Sequence, residues 1–354
     1  MKRSRTDGAV TLQDVAAAAG VSLATASRSL HSGTRAPRAE LRERVRRAAA
    51  DLGYTSNGPA QALARSTTPV VGLIVHDITD PYFAGLAIGA MRVAHDNGLL
   101  VLVCNTFRDP ALEFDYLSRL RAQRARGVLL LASGFSDQRY QDALRQELVS
   151  FAALDGRIAC VSDHGIEADS VLPEHRAGAR LVADHLVGLG HERIGVITGP
   201  ANLLTSRERL QGFRERLRAL DHPLPASQVA RADFSRDGGR QAALELLERH
   251  PDLTAVFALN DMMAVGALTA LREDLGRSVP REVSLVGYDD IPLTRDTYPA
   301  LTTVHLPLEE IGEHGMRLLL HELDGPVRVP ARLVERGSSG PPPALRAGRR
   351  PTRH

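Results

Sequence analysis

The chain has 354 residues, too many for one typical domain, and its 43% hydrophobic and 24% charged residues are typical of a globular protein. Its net charge of +2 is uneven: residues 1–68 carry eleven Lys or Arg against five Asp or Glu, residues 69–335 carry 28 against 37, and residues 336–354 carry five against none. This asymmetry favours a polyanion bound at one end of the chain. No apolar run of about eighteen residues predicts a membrane-spanning helix, and no apolar stretch follows the basic start, so we expect a cytoplasmic protein.

Residues 11–54 predict three helices. Thr11 can cap the first, which ends at Gly20, and Ser22 can cap the second, LATASRSL. The third helix, over about residues 38–53, has an apolar stripe along one face. Two short helices joined by a glycine-containing turn predict a helix-turn-helix.

The second helix has the side chains that a major-groove helix requires, which are short near its start and include groups that distinguish base edges. Arg28 can pair with guanine, and Leu23 and Ala24 can make apolar contacts with a thymine methyl. Thr25 and Ser27 would hold phosphates, which fix register rather than sequence. The predicted outward positions are Leu23, Ala24, Thr25, Ser27, Arg28 and His31, and the predicted inward ones are Val21, Ala26 and Leu30. The alternative is an ordinary three-helix bundle with a solvated face.

A polar linker, residues 56–68, follows the predicted helices. Asn57 can cap a short helix there, which would be marginal alone and would fold only when something holds it. Leu63 is a large apolar residue with no obvious core to join, and such a side chain can wedge between base steps in the minor groove. The alternative is that Leu63 packs under the following domain.

After Pro69, near-continuous apolar runs alternate with amphipathic segments, which predicts parallel sheets covered by helices on both faces. The runs are too many for one compact sheet, so the sequence predicts an α/β body of two doubly wound lobes. We expect lobe 1 at about residues 69–168 plus 300–324 and lobe 2 at about 169–299 plus 325–335. Residues 336–354 predict a disordered basic tail.

A cleft between two such lobes is lined by residues at the carboxyl ends of strands. The residues that follow the apolar runs are mainly hydrogen-bonding groups with a few aromatic rings, which favours a pocket for a polyhydroxyl ligand. The candidates are Asp77, Asp80, Tyr82, Phe83, Asn105, Thr106, Asp163, Thr205, Arg209, Asn260, Asp261 and Asp289. The alternative for Asp261 and Asp289 is helix capping, and for Asn260 it is bracing of a turn.

Motifs of catalysis are missing from the sequence. It contains neither the phosphate-binding pattern G-x-x-x-x-G-K-[ST] nor the G-x-S-x-G of serine hydrolases. The two cysteines, Cys104 and Cys160, lie within apolar runs, which predicts buried side chains rather than a disulfide or a metal site. We therefore expect no catalytic residue, no metal and no cofactor.

Several segments resemble the LacI/GalR family of bacterial repressors. They are VTLQDVAAAAGVSLATASRSL, RERVRRAAADLGY, NGPAQALA and GLIVHDITDPYFAGLAIG, followed by LGHERIGVITGP, RLQGF, FALNDMMAVGAL, VSLVGYDD and LTTVHLPLEEIG. The resemblance implies an all-α helix-turn-helix head on residues 1–55, a hinge helix, and a two-lobed body like the periplasmic binding proteins. It also implies a homodimer, or a dimer of dimers, on a pseudo-palindromic double-stranded DNA operator.

Roles are carried over by position. The resemblance implies that Leu23, Ala24 and Arg28 contact bases. It implies that Leu63 is the leucine of the hinge helix that inserts into the minor groove as a lever. It also implies phosphate contacts by Thr11, Ser22, Thr25 and Ser27. It implies effector contacts by Arg209, Asn260 and Asp289, a ring-stacking loop with Tyr82 and Phe83, and contacts by Asp163 and Thr205. The sequence departs from the family at Ala26, Gly58-Pro59, Glu174-His175 and Leu306, and it has no tryptophan.

The function expected from the sequence is a ligand-responsive regulator of transcription, a repressor of carbohydrate genes that a sugar-like effector releases. One alternative is a corepressor-dependent regulator with a nucleoside-like ligand. Others are a sugar-binding module without a regulatory role, a sugar kinase fused to a DNA-binding head, and an architectural DNA-bending protein.

Overall fold

The computed structural model describes residues 10–30, 38–54 and 67–343. The predictions made for His31, Asn57 and Leu63 lie outside these residues. The chain divides into two compact units, Met1–Thr68 and Pro69–His354. No helix in the described ranges is long and apolar enough to cross a membrane.

The first unit contains the three predicted helices, α1 (Leu12–Ala19), α2 (Leu23–Leu30) and α3 (Ala39–Leu52). Thr11 caps α1 reciprocally with Asp14, because each side chain accepts a hydrogen bond from the other residue's backbone N–H. Gly20 ends α1 and Gly53 ends α3, both in the left-handed conformation. The core is formed by Val15, Ala16, Ala19, Ala26, Val45 and Ala49.

The second unit is an α/β body. Its strands are β1 (Thr68–Val75), β2 (Leu100–Asn105), β3 (Ala125–Leu130), β4 (Arg157–Val161), β5 (Asp169–Pro173), β6 (Ile194–Thr198), β7 (Val229–Arg231), β8 (Ala255–Ala258), β9 (Ser284–Val286), β10 (Thr303–His305), β11 (Val327–Val329) and β12 (Arg332–Val334). Its α-helices are α4 (Pro81–Asp96), α5 (Pro110–Ala122), α6 (Gln138–Ala152), α7 (His175–Gly188), α8 (Leu204–Ala219), α9 (Arg236–Arg249), α10 (Asp261–Thr269), α11 (Leu293–Asp296) and α12 (Leu308–Leu319).

Two sheets define the two lobes. Lobe 1 has six strands in the order β11-β5-β4-β3-β1-β2, and lobe 2 has four in the order β7-β6-β8-β9. The strand pairs within these sheets run parallel, whereas β10 and β12 form a separate antiparallel pair. Helix α12 packs against α4 and strand β4 of lobe 1. The predicted fold class, a helix-turn-helix head and two doubly wound sheets, is confirmed.

The predicted boundary between the lobes is wrong at two places. Strand β5 pairs with β4, with Ala159 opposite Asp169, so the chain leaves lobe 1 after Pro173 rather than at Asp169. Strand β11 pairs with β5 in the same sheet and therefore belongs to lobe 1 rather than lobe 2. Both strands are short and carry polar residues, so they lack the apolar run that marked the other strands.

The predicted disordered tail begins too early. Ser338 is fully buried, and Leu285 of β9 exchanges hydrogen bonds with its carbonyl and hydroxyl groups. Gly340 donates its N–H to the Ser284 hydroxyl at 3.0 Å. Small side chains allow this segment to lie along β9, although its Gly-Ser-Pro composition resembles that of a disordered chain. Residues 344–354 lie outside the described residues.

Candidate functional site

Helix α2 presents two different faces. Leu23 is 51% exposed, Ala24 and Arg28 are also exposed, and Ala26 is fully buried. Val21 and Leu30 pack against the same core as Ala26. An exposed leucine at the start of a helix, with a small residue and an arginine beside it, suits apolar and hydrogen-bonding contacts with base edges.

The start of α2 has the polar groups that a phosphate contact requires. The Ser22 hydroxyl accepts a hydrogen bond from the Thr25 backbone N–H at 3.2 Å, and the Ser22 and Thr25 hydroxyls are 2.8 Å apart. Ser27 is half-buried, whereas Ala24 is exposed. The Thr11 hydroxyl donates to Asp14 at 2.7 Å, so part of its hydrogen-bonding capacity is used within α1. The DNA contacts of all four residues stay predictions.

A small pocket with a cavity volume of about 50 Å³ lies between lobe 1 and lobe 2. Seven of the twelve residues predicted for this cleft line it, namely Asp80, Tyr82, Phe83, Thr205, Arg209, Asn260 and Asp289.

Backbone hydrogen bonds join the lobes beside the pocket. Ser136 donates its N–H to the Asn202 carbonyl at 2.8 Å, and Leu204 donates to the Gly134 carbonyl at 2.9 Å. The Thr205 N–H donates to the Ser133 hydroxyl at 3.0 Å. These contacts hold the first turn of α8 against lobe 1 and close one side of the pocket.

On lobe 2, Arg209 is fixed by protein groups. Its guanidinium donates to Asp289 Oδ1 at 2.7 Å and to the Leu259 carbonyl at 2.5 Å, and it lies 3.9 Å from the Tyr288 ring centroid. Arg209 and Asp289 are both nearly fully buried. Burial raises the pKa of Asp289, and the Arg209 charge and hydrogen bond oppose this effect.

His175 supports this arrangement from behind, at one of the positions where the sequence departs from the family. Its Nδ1 accepts a hydrogen bond from Arg209 Nε at 3.3 Å, so the other ring nitrogen carries the proton. That nitrogen is 3.3 Å from the Ser162 hydroxyl, which it can therefore reach as a donor. Burial, together with the Arg209 charge, lowers the pKa of His175 well below its usual value, so the ring is neutral.

Asn260 is also engaged within lobe 2. Its side-chain oxygen caps α10 by accepting from the Met263 N–H at 2.9 Å, and its amide nitrogen donates to the Phe234 carbonyl at 3.2 Å. Asn260 thus has the bracing role that was its alternative interpretation, while it still lines the pocket.

On lobe 1, the polar groups that face the pocket are less engaged. Asp80 caps α4 with one carboxylate oxygen, which accepts from the Tyr82 N–H at 3.0 Å, and burial raises its pKa to about 6. The Nε2 atom of the buried His76 has no hydrogen-bond partner within the described ranges. Burial and the Arg108 charge lower the pKa of His76 to about 3, so its ring is neutral.

The aromatic residues lie in the first turn of α4 rather than in the predicted loop, because Asp80 begins that helix. The Tyr82 and Phe83 rings are 5.1 Å apart and nearly perpendicular. Phe83 is also edge-on to His76 at 6.1 Å. The two rings form an apolar corner beside the polar groups of lobe 1.

Five of the twelve candidates do not line the pocket, namely Asp77, Asn105, Thr106, Asp163 and Asp261. Asn105 ends β2 and accepts from the Ile78 backbone N–H at 3.0 Å, so it braces the loop after β1. Asp163 is exposed and accepts from the Gly165 N–H at 2.7 Å. Ser162, in the left-handed conformation, turns the chain after β4, so Ser162 faces the pocket and Asp163 lines a separate groove.

Six further residues line the pocket that were not predicted from the sequence, although all of them follow a strand by one to five positions. His76 and Ser162 come directly after β1 and β4, whereas the others lie further into the loops. The six residues are His76, Arg108, Ser133, Ser162, Leu203 and Phe234. Considering every residue after each strand would have found His76 and Ser162. The loop conformations that aim Arg108 and Phe234 have no sequence signal.

Two family models match the chain. Residues 11–57 match the model described as "Bacterial regulatory proteins, lacI family", and residues 183–339 match a "Periplasmic binding protein-like domain". The first match covers the helix-turn-helix, and the second covers most of lobe 2 together with α12.

Relatives of known function match over nearly the whole chain. The ribose operon repressor of Halalkalibacterium halodurans is 32% identical over 332 residues, which is 92% of this chain and 96% of the relative. The structure of a transcriptional regulator CelR–cellobiose complex is 32% identical with a TM-score of 0.68, and the match covers 93% of this chain and 100% of that one. The Lac repressor dimer bound to operator and the anti-inducer ONPF is 27% identical with a TM-score of 0.81, covering 94% and 100%.

These matches agree with the helix-turn-helix and the two parallel sheets, and the relatives they identify are regulators of transcription rather than enzymes. The chain belongs to the LacI family of bacterial regulatory proteins and is a ligand-responsive DNA-binding regulator.

Proposed function

We propose that this protein is a homodimeric repressor of carbohydrate-related genes, and that a sugar-like ligand in the pocket between the lobes releases it from its operator. The observation that carries the proposal is a pocket between the lobes with free hydrogen-bonding groups and an aromatic corner, in a chain that also has an exposed α2 face. The ribose operon repressor and the CelR–cellobiose complex support a sugar, since both names refer to one. We place the protein in the cytoplasm, with the DNA that it binds.

In the proposed complex, α2 lies in the major groove. Arg28 pairs with guanine, which contributes about 1–3 kcal/mol of discrimination, and Leu23 and Ala24 make the apolar base contacts. Ser22 and Thr25 hold phosphates at the start of the helix, where backbone N–H groups favour anions. His31, Asn57 and Leu63 extend this surface in the proposal, with Leu63 inserted in the minor groove.

An apolar face on lobe 1 supports the dimer. Strand β2 is at the edge of its sheet, and its Val103, which is on the same face as Val101, is 43% exposed. Ile88 and Met91 of the adjacent α4 are also half-exposed. Exposed apolar residues beside an open sheet edge are typical of a contact surface.

We expect the protein to sediment as a dimer. The Val103→Asp variant should sediment as a folded monomer, because it places a charge in the contact surface. If the variant still sediments as a dimer, this face is not the dimer contact.

The proposed mechanism is a shift between two populations of the dimer. A ligand that contacts both lobes stabilises one angle between them, and the two heads then separate or approach. The shift is limited by the difference in ligand affinity between the two states, typically about 1–3 kcal/mol. A ligand that binds the DNA-competent state of the dimer more tightly would instead act as a corepressor.

The test starts with duplexes selected from a random DNA pool by the purified protein. A panel of pentoses, hexoses, disaccharides and their acids and phosphates is then screened by thermal shift, since a true ligand raises the melting temperature. We define the reference sugar as the one that gives the largest shift, and we expect it to weaken binding to the selected duplex.

Arg28→Ala is the variant for the DNA contact, and Arg44→Ala, an exposed arginine of α3, is its control. We expect Arg28→Ala to lose the preference for the selected duplex over random DNA, while Arg44→Ala keeps it. Failure to enrich any duplex, with or without sugars, would overturn the proposed function.

A further inference from the structure

Arg108 lines the pocket without a hydrogen-bond partner. Its side chain is 21% exposed, and its guanidinium makes no hydrogen bond with any residue in the described part of the chain. It forms an ion pair with Asp77 at 3.8 Å and lies 5.9 Å from the centre of the Phe234 ring. The five N–H donors of this largely buried guanidinium are therefore without an acceptor among the described residues, and its charge is stabilised by an ion pair, a ring and longer-range interactions with Asp80 and Asp233.

The loop before α5 has an unusual backbone at this position. Phe107 and Arg108 are consecutive left-handed residues with φ of 52° and 62°, and neither is glycine. Such conformations cost free energy and are concentrated at functional sites. The loop is held at both ends, because Thr106 donates its N–H to Val75 and Asp109 donates to Thr106. As a result the Arg108 side chain reaches the pocket, whereas Phe107 is 73% exposed.

Carboxylates lie near Arg108 without forming a hydrogen bond with it in the described residues: Asp77 is 3.8 Å away, and the Arg108 charge opposes the rise in the pKa of Asp80. Arg209 and Asp289 form a buried pair with each other, which leaves Arg108 and Asp80 as the remaining charged groups in the lining. Asp80 has one carboxylate oxygen that caps α4 and a second that accepts no hydrogen bond from the described residues. Asp80 is therefore suited to a hydroxyl of the ligand, and Arg108 to an anionic group.

A neutral ligand would not provide the Arg108 guanidinium with a strong hydrogen-bond acceptor. Its binding would remove water from the guanidinium and would supply only weak acceptors in return, which is unfavourable for a charged group. A carboxylate or phosphate can accept two parallel hydrogen bonds from one guanidinium. The nearby Nε2 of His76, which has no partner, can also donate to such a group.

We propose that Arg108 forms an anionic subsite and that the ligand is a carbohydrate with one carboxylate or phosphate group, its hydroxyls facing Asp80. This inference rests on the proposed function, since it names the class of ligand that the same pocket takes. The competing role for Arg108 is a contact that closes the lobes, with lobe 1 supplying the cation and Phe234 of lobe 2 supplying the ring.

The experiment compares matched ligands by isothermal titration calorimetry on the full chain. The pairs are D-galactose with D-galacturonate, and D-glucose with D-glucuronate and D-glucose 6-phosphate, followed by pentoses and disaccharides with their acids. Arg108→Gln removes the charge, Arg108→Lys keeps the charge without the planar fork, and Arg121→Gln replaces a similarly exposed arginine on α5. The carboxylate and phosphate ligands distinguish the two sources of the anionic group.

We expect one anionic ligand to bind at least tenfold more tightly than its neutral parent. Arg108→Gln should abolish that difference, Arg108→Lys should retain part of it, and Arg121→Gln should leave it unchanged. Equal affinity for the acid and its parent, or equal weakening of both by Arg108→Gln, would overturn the anionic subsite and leave the proposed function intact. Binding of no carbohydrate, charged or neutral, would overturn both.

Discussion

The two sides of the pocket differ in how far their polar groups are satisfied by the protein itself. On lobe 2, Arg209, Asp289 and Asn260 are engaged with protein groups at 2.5–3.2 Å. On lobe 1, Asp80 has a free carboxylate oxygen, and the buried His76 has an unpartnered nitrogen among the described residues. The polar groups on the lobe-2 side already have hydrogen-bond partners within the protein. Those on the lobe-1 side lack acceptors and donors that a ligand can supply.

This difference gives the two sides of the pocket different roles, one in the stability of the fold and the other in binding the ligand. A buried polar group left without a partner costs about 1–3 kcal/mol, more if it is charged, and a ligand that satisfies it regains that free energy on binding. The lobe-1 side therefore contributes more to affinity, and the lobe-2 side contributes more to the free energy of unfolding. The following four changes test this assignment, from the largest expected effect to the smallest.

Arg209→Met should destabilise the fold most, because it leaves the buried Asp289 carboxylate unpaired. Removing one partner of a buried ion pair typically costs about 3–5 kcal/mol. Urea unfolding of Arg209→Met should show a loss of that order, and Arg209→Met combined with Asp289→Asn should recover part of it. The exposed pair of Arg240 and Asp274 is the control, and its Arg240→Met variant should change stability far less. Equal losses in Arg209→Met and Arg240→Met would contradict a structural role for the lobe-2 side.

Asp80→Asn should weaken ligand binding without weakening the fold. Asparagine caps helices as well as aspartate does, so the contact with the Tyr82 N–H is kept. A hydrogen bond to a charged group contributes about 1.5–3 kcal/mol, so the affinity for the reference sugar should fall about tenfold or more in calorimetry. A large loss of unfolding free energy with unchanged affinity would reverse the assignment of Asp80.

Acidification should weaken binding through the same carboxylate. Burial raises the pKa of Asp80 to about 6 in the free pocket, and a ligand hydroxyl that donates to the ionised form holds that form when bound. The ligand therefore binds best above pH 6, and its affinity should fall about tenfold as the pH drops from 7.5 to 5. Asp80→Asn should bind with a nearly flat profile over this range. A wild-type profile as flat as that of Asp80→Asn would show that Asp80 does not contact the ligand as an anion.

Ser133→Ala should have the smallest effect, because it removes one neutral hydrogen bond between the lobes. The Thr205 N–H would lose its acceptor at 3.0 Å, and a typical net contribution of about 0.5–1.5 kcal/mol corresponds to a two- to tenfold loss of ligand affinity. Ser150→Ala, on the exposed side of α6, should leave affinity unchanged. If the two variants bind equally, this contact does not contribute to closure of the lobes.

The sequence predicted the parts of the molecule that depend on local patterns. Thr11, Gly20 and Gly53 bound the helices of the head as expected, and the strongly apolar runs became strands. Placing candidates at the carboxyl ends of strands found Arg209, Asn260 and Asp289, because the topology of parallel sheets brings those ends together.

The sequence failed where long-range pairing or a single backbone turn decides the outcome. Strand β5 has Asp169 and Ser170 in place of an apolar run, and its pairing with β4 depends on the rest of lobe 1. The left-handed Ser162 decides that it, rather than Asp163, faces the pocket. The left-handed Arg108 in the same way could be placed only from the structure.

The central claim is that a ligand bound by the lobe-1 side of the pocket controls the affinity of the helix-turn-helix domain for DNA. The most direct measurement is fluorescence anisotropy of the selected duplex, titrated with the reference sugar, for the wild-type protein and for Asp80→Asn. We predict equal affinity for the duplex without sugar and at least a tenfold higher sugar concentration for half-release in Asp80→Asn. Identical release curves, or a change in DNA affinity in the absence of sugar, would contradict the claim.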